Sequence, residues 1–154
     1  MLIFSLHSYA NADSEVPASF ECKATQVFSK VADDADPELG HFKEGQTLLL
    51  KIGKLGGEFL ISTTDGRYNT RLLLNPKGRW QDDSQQFAFS SKSKSSEFLG
   101  LGSGESFEVV IRFDKVQGRG TIYNFSHLWH QDFLGTEEEG RVEETLTLDH
   151  CHSK

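Results

Sequence analysis

The sequence has no long apolar run and few basic residues, and each shortage excludes a class of protein. No stretch approaches 18 consecutive apolar residues, so the sequence predicts no membrane-spanning helix. Only 16 Lys and Arg residues stand against 23 Asp and Glu residues, which gives a net charge of −7. Because an acidic chain repels phosphate backbones, this charge argues against a nucleic-acid partner.

The sequence also lacks the common catalytic and metal-binding motifs. It contains no G-x-S-x-G elbow. The glycine-rich stretch 100–104 is followed by a strand pattern rather than a helix, so it is predicted to be a turn and not a phosphate-binding loop. The acidic stretch 33–38 contains Pro37 and does not match a calcium loop. We therefore predict no catalytic residue, no metal site and no cofactor.

Phenylalanine is abundant, with 12 residues, whereas methionine occurs once. Leu, Ile, Val and Phe together make up 41 of the 154 residues. This share is above the level of roughly 20% below which disorder is expected. The chain therefore has enough apolar surface for one core, and its length predicts a single domain.

The sequence has two cysteines, Cys22 and Cys151. Their wide separation matches no metal-binding spacing. In an oxidising compartment they are predicted to form a disulfide that closes nearly the whole chain. The alternative is a pair of buried free thiols in a cytosolic protein.

The N-terminal residues 1–12 are predicted to be the remnant of a secretory signal peptide. They contain a short apolar run followed by Ala10-Asn11-Ala12, a small-residue cleavage pattern. No Lys or Arg precedes the run, and the alternative is a frayed terminus. On the first interpretation residues 13–154 form a single β domain that is periplasmic or secreted.

The stretch 105–125 is predicted to be a β-hairpin. Its first half alternates apolar and polar residues with a period of two, which indicates a half-buried strand. The apolar members are Phe107, Val109, Ile111 and Phe113. The pattern breaks at 115–118, and Gly118 can supply the positive φ of a turn.

Two registers of this hairpin are open. A three-residue loop would pair Ile111 with Tyr123, and we favour it because its cross-strand pairs are apolar. A four-residue loop would instead pair Ile111 with Ile122 and Phe113 with Gly120.

Similar patterns predict an all-β fold. Further strands are expected at 19–28, 47–52, 58–63, 68–74, 87–89, 97–101 and 142–150. Asp65-Gly66 is a strong hairpin signal, and the Ser- and Lys-rich stretch 90–96 is predicted to be a polar turn. The expected architecture is a single antiparallel β-barrel of lipocalin-like size with eight or nine strands, whose first and last strands are joined by Cys22 and Cys151. The alternative is a two-sheet β-sandwich.

The candidate binding surface consists of aromatic and histidine side chains in polar surroundings. They are Trp80, His127, Trp129, His130 and Phe133. Exposed aromatic residues favour binding surfaces, although the three larger rings would alternatively cap the ends of a barrel. On a strand His127 and His130 would point to opposite faces and could not share a metal ion.

We predict a small exported binding or inhibitor-type protein without catalytic activity. It would contact an extracytoplasmic protein partner through loops at 31–45, 79–85 and 126–141. One alternative is a barrel that carries a small apolar ligand, which requires an apolar cavity. Another is a carboxylate-dependent hydrolase, which requires two acidic groups that converge in a cleft. The pattern leaves the oligomeric state open.

Overall fold

A computed structural model describes residues 18–32, 35–53, 58–75, 77–98, 102–131, 134–135 and 137–154. These residues form one antiparallel sheet of nine strands, in the order β4-β3-β2-β1-β9-β8-β7-β6-β5. The strands are β1 (Ala18–Ala32), β2 (Thr47–Gly53), β3 (Glu58–Thr63), β4 (Asn69–Leu73), β5 (Arg79–Asp82), β6 (Gln86–Phe98), β7 (Gly102–Asp114), β8 (Arg119–Gln131) and β9 (Glu137–Ser153). Within these ranges there is no helix with the length and apolar character needed to cross a membrane. The proposed signal remnant, residues 1–12, lies outside them.

The sheet curls so that its inner face encloses the core. The ring of Phe20 on β1 stacks on Phe113 of β7, 4.6 Å away, and also contacts Phe87 of β6. These strands are far apart in the sheet, so their rings meet only because the sheet bends round. The predicted antiparallel all-β class and the number of strands are confirmed. The hydrogen-bonded sheet is open, because β4 and β5 lie at its two ends and, within the described ranges, do not pair with each other.

The predicted disulfide is confirmed, and it joins the first and last strands. Cys22 of β1 and Cys151 of β9 are bonded, with their Cα atoms 4.1 Å apart. A β-bulge lies at this point, because Cys22 faces two residues of β9. One of the two, His150, has a φ of 52°, the left-handed region that side chains rarely adopt. The Cys22 side chain is buried in the core.

The favoured register of the β7–β8 hairpin is wrong, and the four-residue loop is correct. Ile111 pairs with Ile122, and Phe113 pairs with Gly120. The reason is space, since a Cβ atom on residue 120 would lie 2.3 Å from the Phe113 ring. The carboxylate of Asp114 adds to this choice by accepting two backbone N–H groups of the turn, each at 2.9 Å.

Four stretches predicted as turns or loops are largely strands. Residues 90–96 lie inside β6, and Gly102 to Gly104 begin β7. The expected loop at 79–85 begins with β5, and most of the expected loop at 126–141 belongs to β8 and β9. Ser, Lys and Gly are poor strand formers, but pairing with a neighbouring strand overrides that weak preference.

The strands predicted at 47–52, 58–63 and 68–74 are confirmed, and they form a three-strand meander. It consists of β2, β3 and β4, which pair in succession. The predicted turn at Asp65-Gly66 is also present, and Gly66 has a φ of 70°. Asp65 holds this turn by accepting the backbone N–H of Arg67 at 3.0 Å.

Residues 35–46 form a segment that we call the plug, because it inserts two side chains into the core. Leu39 and Phe42 are buried, although the sequence predicted a loop at 31–45 that contacts a partner. Asp36 and Glu38 are exposed, as expected, whereas Asp33 and Asp34 lie outside the described residues.

A buried carboxylate on β9, that of Glu144, holds the plug. It accepts hydrogen bonds from the backbone N–H groups of Glu38, Leu39 and Gly40 and from the side chains of Ser29 and Asn124. The shortest is the bond from the Gly40 N–H, at 2.7 Å. The Thr70 hydroxyl donates in turn to the carboxylate of Glu38. This network fixes the plug against the inner face of the sheet.

Five of the strands continue beyond the region covered by their neighbours. β2 pairs with β1 only as far as Lys23, and β5 pairs with β6 only as far as Ser90. The remaining parts of β1, β6, β7, β8 and β9 stay paired with one another. We call this five-stranded part the extension, formed by residues 27–32, 91–98, 102–108, 125–131 and 137–143.

Candidate binding surface

An aromatic row lies along the outer face of β8. Ile122 and Asn124 of this strand are buried towards the core, so the alternation of a strand turns the odd-numbered residues outwards. The members of this β8 row are Tyr123, Phe125, His127 and Trp129, and all four are half-buried. None of them is needed to fill the core.

Trp129 lies against the backbone of the neighbouring strand. It pairs with Gly104 of β7, and a Cβ atom there would be only 2.3 Å from the indole Nε1. A Cβ atom on Gly102 would be 3.0 Å from the same ring. Two glycines on one face of β7 therefore let the indole approach the sheet this closely. The glycine-rich stretch acts as a seat for this aromatic ring.

A cation and two carboxylates surround the middle of the row. The guanidinium of Arg141 on β9 lies 5.4 Å from the centre of the Phe125 ring, within cation–π range. Arg141 also lies 3.9 Å from the carboxylate of Glu143. His127 Nε2 is 3.5 Å from the carboxylate of Glu139. The aromatic row is thus bordered by mixed charges.

The environment of Tyr123 changes its acidity. Burial raises the pKa of Tyr123 above its ordinary value, and the negative charges of Glu143 and Glu108 raise it further. The pKa of Tyr68, beside the plug, is also raised, mainly by burial.

We expect these two tyrosines to ionise above the ordinary tyrosine pKa of about 10. A folded-state pKa raised above the unfolded value gives stability that is fully present below about pH 10 and is lost as the pH rises through the folded pKa. Ultraviolet absorbance titration of the phenols measures the midpoints. Tyr123→Phe should remove one late transition, and Glu143→Gln should lower its midpoint. A Tyr123 midpoint that is unchanged in Glu143→Gln would contradict the assigned cause.

Only two of the predicted surface residues come together. His127 and Trp129 are neighbours in the β8 row. His130 follows on the same strand but points to the opposite face, and Phe133 lies outside the described residues. Trp80 packs against Phe89, with ring centres 4.3 Å apart, and belongs to the edge of the core.

The sequence reasoning missed Tyr123, Phe125 and Arg141. The favoured hairpin register had turned Tyr123 and Phe125 inwards, so neither was considered for the surface. The signal that could have corrected this was Gly120, because a glycine opposite Phe113 is explained only by the four-residue loop.

Two shallow clefts lie on the outer face beside the row. One, of about 430 Å³, is lined by Arg112, Arg119 and several threonines together with Asp114. The other, of about 550 Å³, lies over Ala88 and Ser90 between Arg79 and Arg112. The carboxylate of Asp114 already accepts two turn N–H groups, which ties it to a structural role.

Metal-ligand geometry is absent from the described part of the chain, where no three His, Cys, Asp or Glu side chains converge. The fully buried carboxylate, Glu144, is saturated by its five donors. Its role in this geometry is to hold the plug.

The chemistry available on this surface is that of recognition. The β8 row combines a seated indole with a phenol, a phenyl ring under a guanidinium, and a border of mixed charge.

Comparison of the chain with models of known protein families, with curated proteins and with solved structures finds no match.

Proposed function

We propose that this chain is an exported binding protein that recognises a protein partner through the outer face of its extension. The observation that carries the proposal is the seat of Trp129 on Gly102 and Gly104. A rigid, half-exposed indole loses little conformational freedom on binding, so it suits the role of an interface anchor. The sheet face would take the place of the loops at 31–45, 79–85 and 126–141 as the contact surface.

The composition of the surroundings supports a protein as the partner. Tyr, Trp and Arg are the residue types that most often dominate binding energy at protein interfaces. Trp129 and Arg141 lie on the outer face of the extension, and Tyr123 precedes Trp129 on the same face of β8. Partly exposed ion pairs such as Lys92–Glu108, at 3.7 Å, border that face. Such a border sets association rate and selectivity more than affinity.

The disulfide supports a location outside the cytoplasm. A disulfide between Cys22 and Cys151 persists in an oxidising compartment. Together with the cleavage pattern at Ala10-Asn11-Ala12, it favours a periplasmic or secreted protein. The partner is therefore sought among proteins of the same compartment.

The interior gives less support to the two other functions. Phe20, Phe87 and Phe113 contact one another inside the sheet, and the plug adds Leu39 and Phe42, so these rings occupy the space that an apolar ligand would need. For a hydrolase, Glu144 and Asp114 are committed to backbone hydrogen bonds. Recognition by the outer face uses side chains that have no other role.

The partner can be captured with a photo-reactive residue. Lys94 is exposed on the outer face of β6, and β7 lies between β6 and the β8 row. A photo-reactive phenylalanine at this position should cross-link a protein in the native host. The matched control is the same substitution at Leu73, which is 75% exposed on the distant edge strand β4. The proposal requires a product at position 94 that is absent at position 73.

With the captured partner purified, Trp129→Ala should weaken binding by about 30-fold or more, the effect of losing roughly 2 kcal/mol. Gly104→Ala should also weaken it, because the new Cβ displaces the indole while keeping it in the chain. Leu73→Ala is the control and should leave the dissociation constant unchanged. Calorimetric titration measures all three. An unchanged affinity in both Trp129→Ala and Gly104→Ala would contradict the proposed surface.

A further inference from the structure

The outer edge of β1 is open over its second half. On one side β9 pairs with β1 as far as Ala32. On the other side β2 pairs only as far as Lys23, and the backbone of Gly45 and Gln46 continues to Ala24. Among the described residues no strand pairs with this edge from Thr25 to Ala32. All of these eight residues except half-buried Val27 are exposed.

This edge is less protected than the other open edge of the extension. There, β6 presents Lys92 and Lys94, and lysine on an edge strand opposes pairing with another chain. The open part of β1 has a single charged residue, Lys30. It carries Phe28 on the outer face and Val31 on the inner face, which are 52% and 41% exposed. A strand with apolar residues on both faces and unpaired backbone groups is a template for strand addition.

We infer that this edge pairs with the same edge of a second copy of the chain, antiparallel about a two-fold axis at Ser29. In that register Phe28 lies opposite Lys30 of the second copy, and Val27 lies opposite Val31. Each pair occurs twice, because a two-fold interface repeats every contact. The outer face gains a cation beside an aromatic ring, and the inner face gains an apolar pair.

The sequence of the edge favours a second copy of the chain as the binding partner and a two-fold axis at Ser29 as the register. An axis at Phe28 would pair Val27 with Ser29 and Val31 with Thr25, and both valines would lose an apolar partner. With the axis at Ser29 the two lysines are not opposite each other, so like charges do not meet. The open length also matches, since Gln26 lies opposite Ala32 and the paired segment stays within the eight open residues. A second copy of the chain can thus pair with the open edge from Gln26 to Ala32.

The pairing would join two five-stranded extensions into one continuous sheet. It is independent of the proposed partner site, because β9 separates the β1 edge from the β8 row. The dimer would carry two β8 rows on one extended outer face. A partner that contacts both would gain avidity without any new contact.

The test is the oligomeric state of the full chain with its disulfide formed, measured by sedimentation from micromolar to millimolar concentration. The wild type should dimerise reversibly. Phe28→Lys and Val31→Lys should each raise the dimer dissociation constant by at least about tenfold, because they place charge within the pair. Leu128→Lys is the matched control, an exposed leucine on the interior strand β8, and should leave dimerisation unchanged. A wild type that stays monomeric at every concentration overturns the inference, as does a dimer that both edge variants leave intact.

Cysteine cross-linking tests the register. Phe28→Cys and Lys30→Cys variants should form a covalent dimer when mixed under mild oxidation, and each alone should not. Covalent dimers from Phe28→Cys alone would place the axis at Phe28 and overturn the register. Photo-cross-linking of a partner beside the β8 row is a separate measurement. A protein that does not dimerise can still capture a partner, and a protein that captures no partner can still dimerise.

Discussion

Removing the disulfide is expected to lower the free energy of unfolding by about 4 to 5 kcal/mol, the entropic gain predicted for a closed loop of this length. Cys22 and Cys151 are 129 residues apart, so the bond constrains nearly the whole unfolded chain. It also lies at the β-bulge where β1 and β9 meet. Because a domain of this size has roughly 5 to 15 kcal/mol of stability, the loss would leave the fold close to its limit.

The measurement is urea denaturation followed by circular dichroism. Two forms of the protein distinguish the loss of the disulfide bond from the loss of side-chain packing. The reduced wild type keeps both sulfur atoms and loses only the bond, whereas the double variant Cys22→Ala, Cys151→Ala also loses packing around the buried Cys22 side chain. We expect the reduced wild type to show most of the loss and the variant slightly more. A reduced protein within about 1 kcal/mol of the oxidised form would show that the β1–β9 pairing persists in the unfolded state.

The second large effect is expected at Glu144. Replacing it with Gln should destabilise the fold by about 3 to 5 kcal/mol, because a hydrogen bond to a charged group contributes about 1.5 to 3 kcal/mol and a buried donor left without a partner costs about 1 to 3 kcal/mol. The carboxylate accepts from five donors, whereas an amide has one accepting oxygen and turns an N–H₂ group towards the others. The two shortest bonds, from Gly40 at 2.7 Å and Leu39 at 2.9 Å, both reach Oε1. The amide cannot satisfy every donor, so at least one buried N–H group loses its partner.

The structural consequence should be local as well as global. Without its anchor the plug should open, and the amides of Glu38, Leu39 and Gly40 should exchange with solvent much faster than in the wild type. Hydrogen exchange measures this directly. The control is Glu143→Gln, the neighbouring carboxylate on the outer face, whose partner Arg141 is 3.9 Å away. That variant should stay within about 0.5 kcal/mol of the wild type. Protected plug amides in Glu144→Gln would contradict the anchoring role.

The features that stabilise the fold form a frame, consisting of the disulfide and the Glu144 network, and they are distinct from the surfaces proposed for recognition and assembly. The disulfide joins the first and last strands of the chain, which are neighbours in the middle of the sheet, and the Glu144 network holds the plug in place. The β8 row and the β1 edge are then presented by strands that extend beyond that frame. Variants in the row and at the edge should therefore change recognition and assembly without unfolding the core, and this separation makes the binding experiments interpretable.

Part of the candidate surface was predictable from the sequence. Trp129 and His127 were singled out because aromatic side chains stood in polar surroundings, and the structure places both on one outer face. Trp80 stood in similar surroundings but packs on Phe89. Sequence patterns alone cannot distinguish these two tryptophans, because the curvature of the sheet decides which ring packs at the edge of the core.

Local patterns in the sequence were enough to predict the features that depend on neighbouring residues. Alternation with a period of two marked the first strand of the 105–125 hairpin, apolar runs marked the strands at 47–52 and 68–74, and Asp65-Gly66 marked a turn, because these signals act within a few residues. The disulfide was predicted from two cysteines together with a predicted signal remnant. These inferences needed no knowledge of distant contacts.

The remaining features depended on contacts between distant parts of the chain. The hairpin register depended on the room that Gly120 leaves for Phe113, and the strand character of 90–96 depended on pairing with β7. The role of Glu144 depended on amides more than a hundred residues away, with a separation of 105 to Leu39. Such contacts form only when the sheet curls, so no local pattern encodes them. The physical reason is that side-chain packing and buried hydrogen bonds override weak local preferences wherever the two compete.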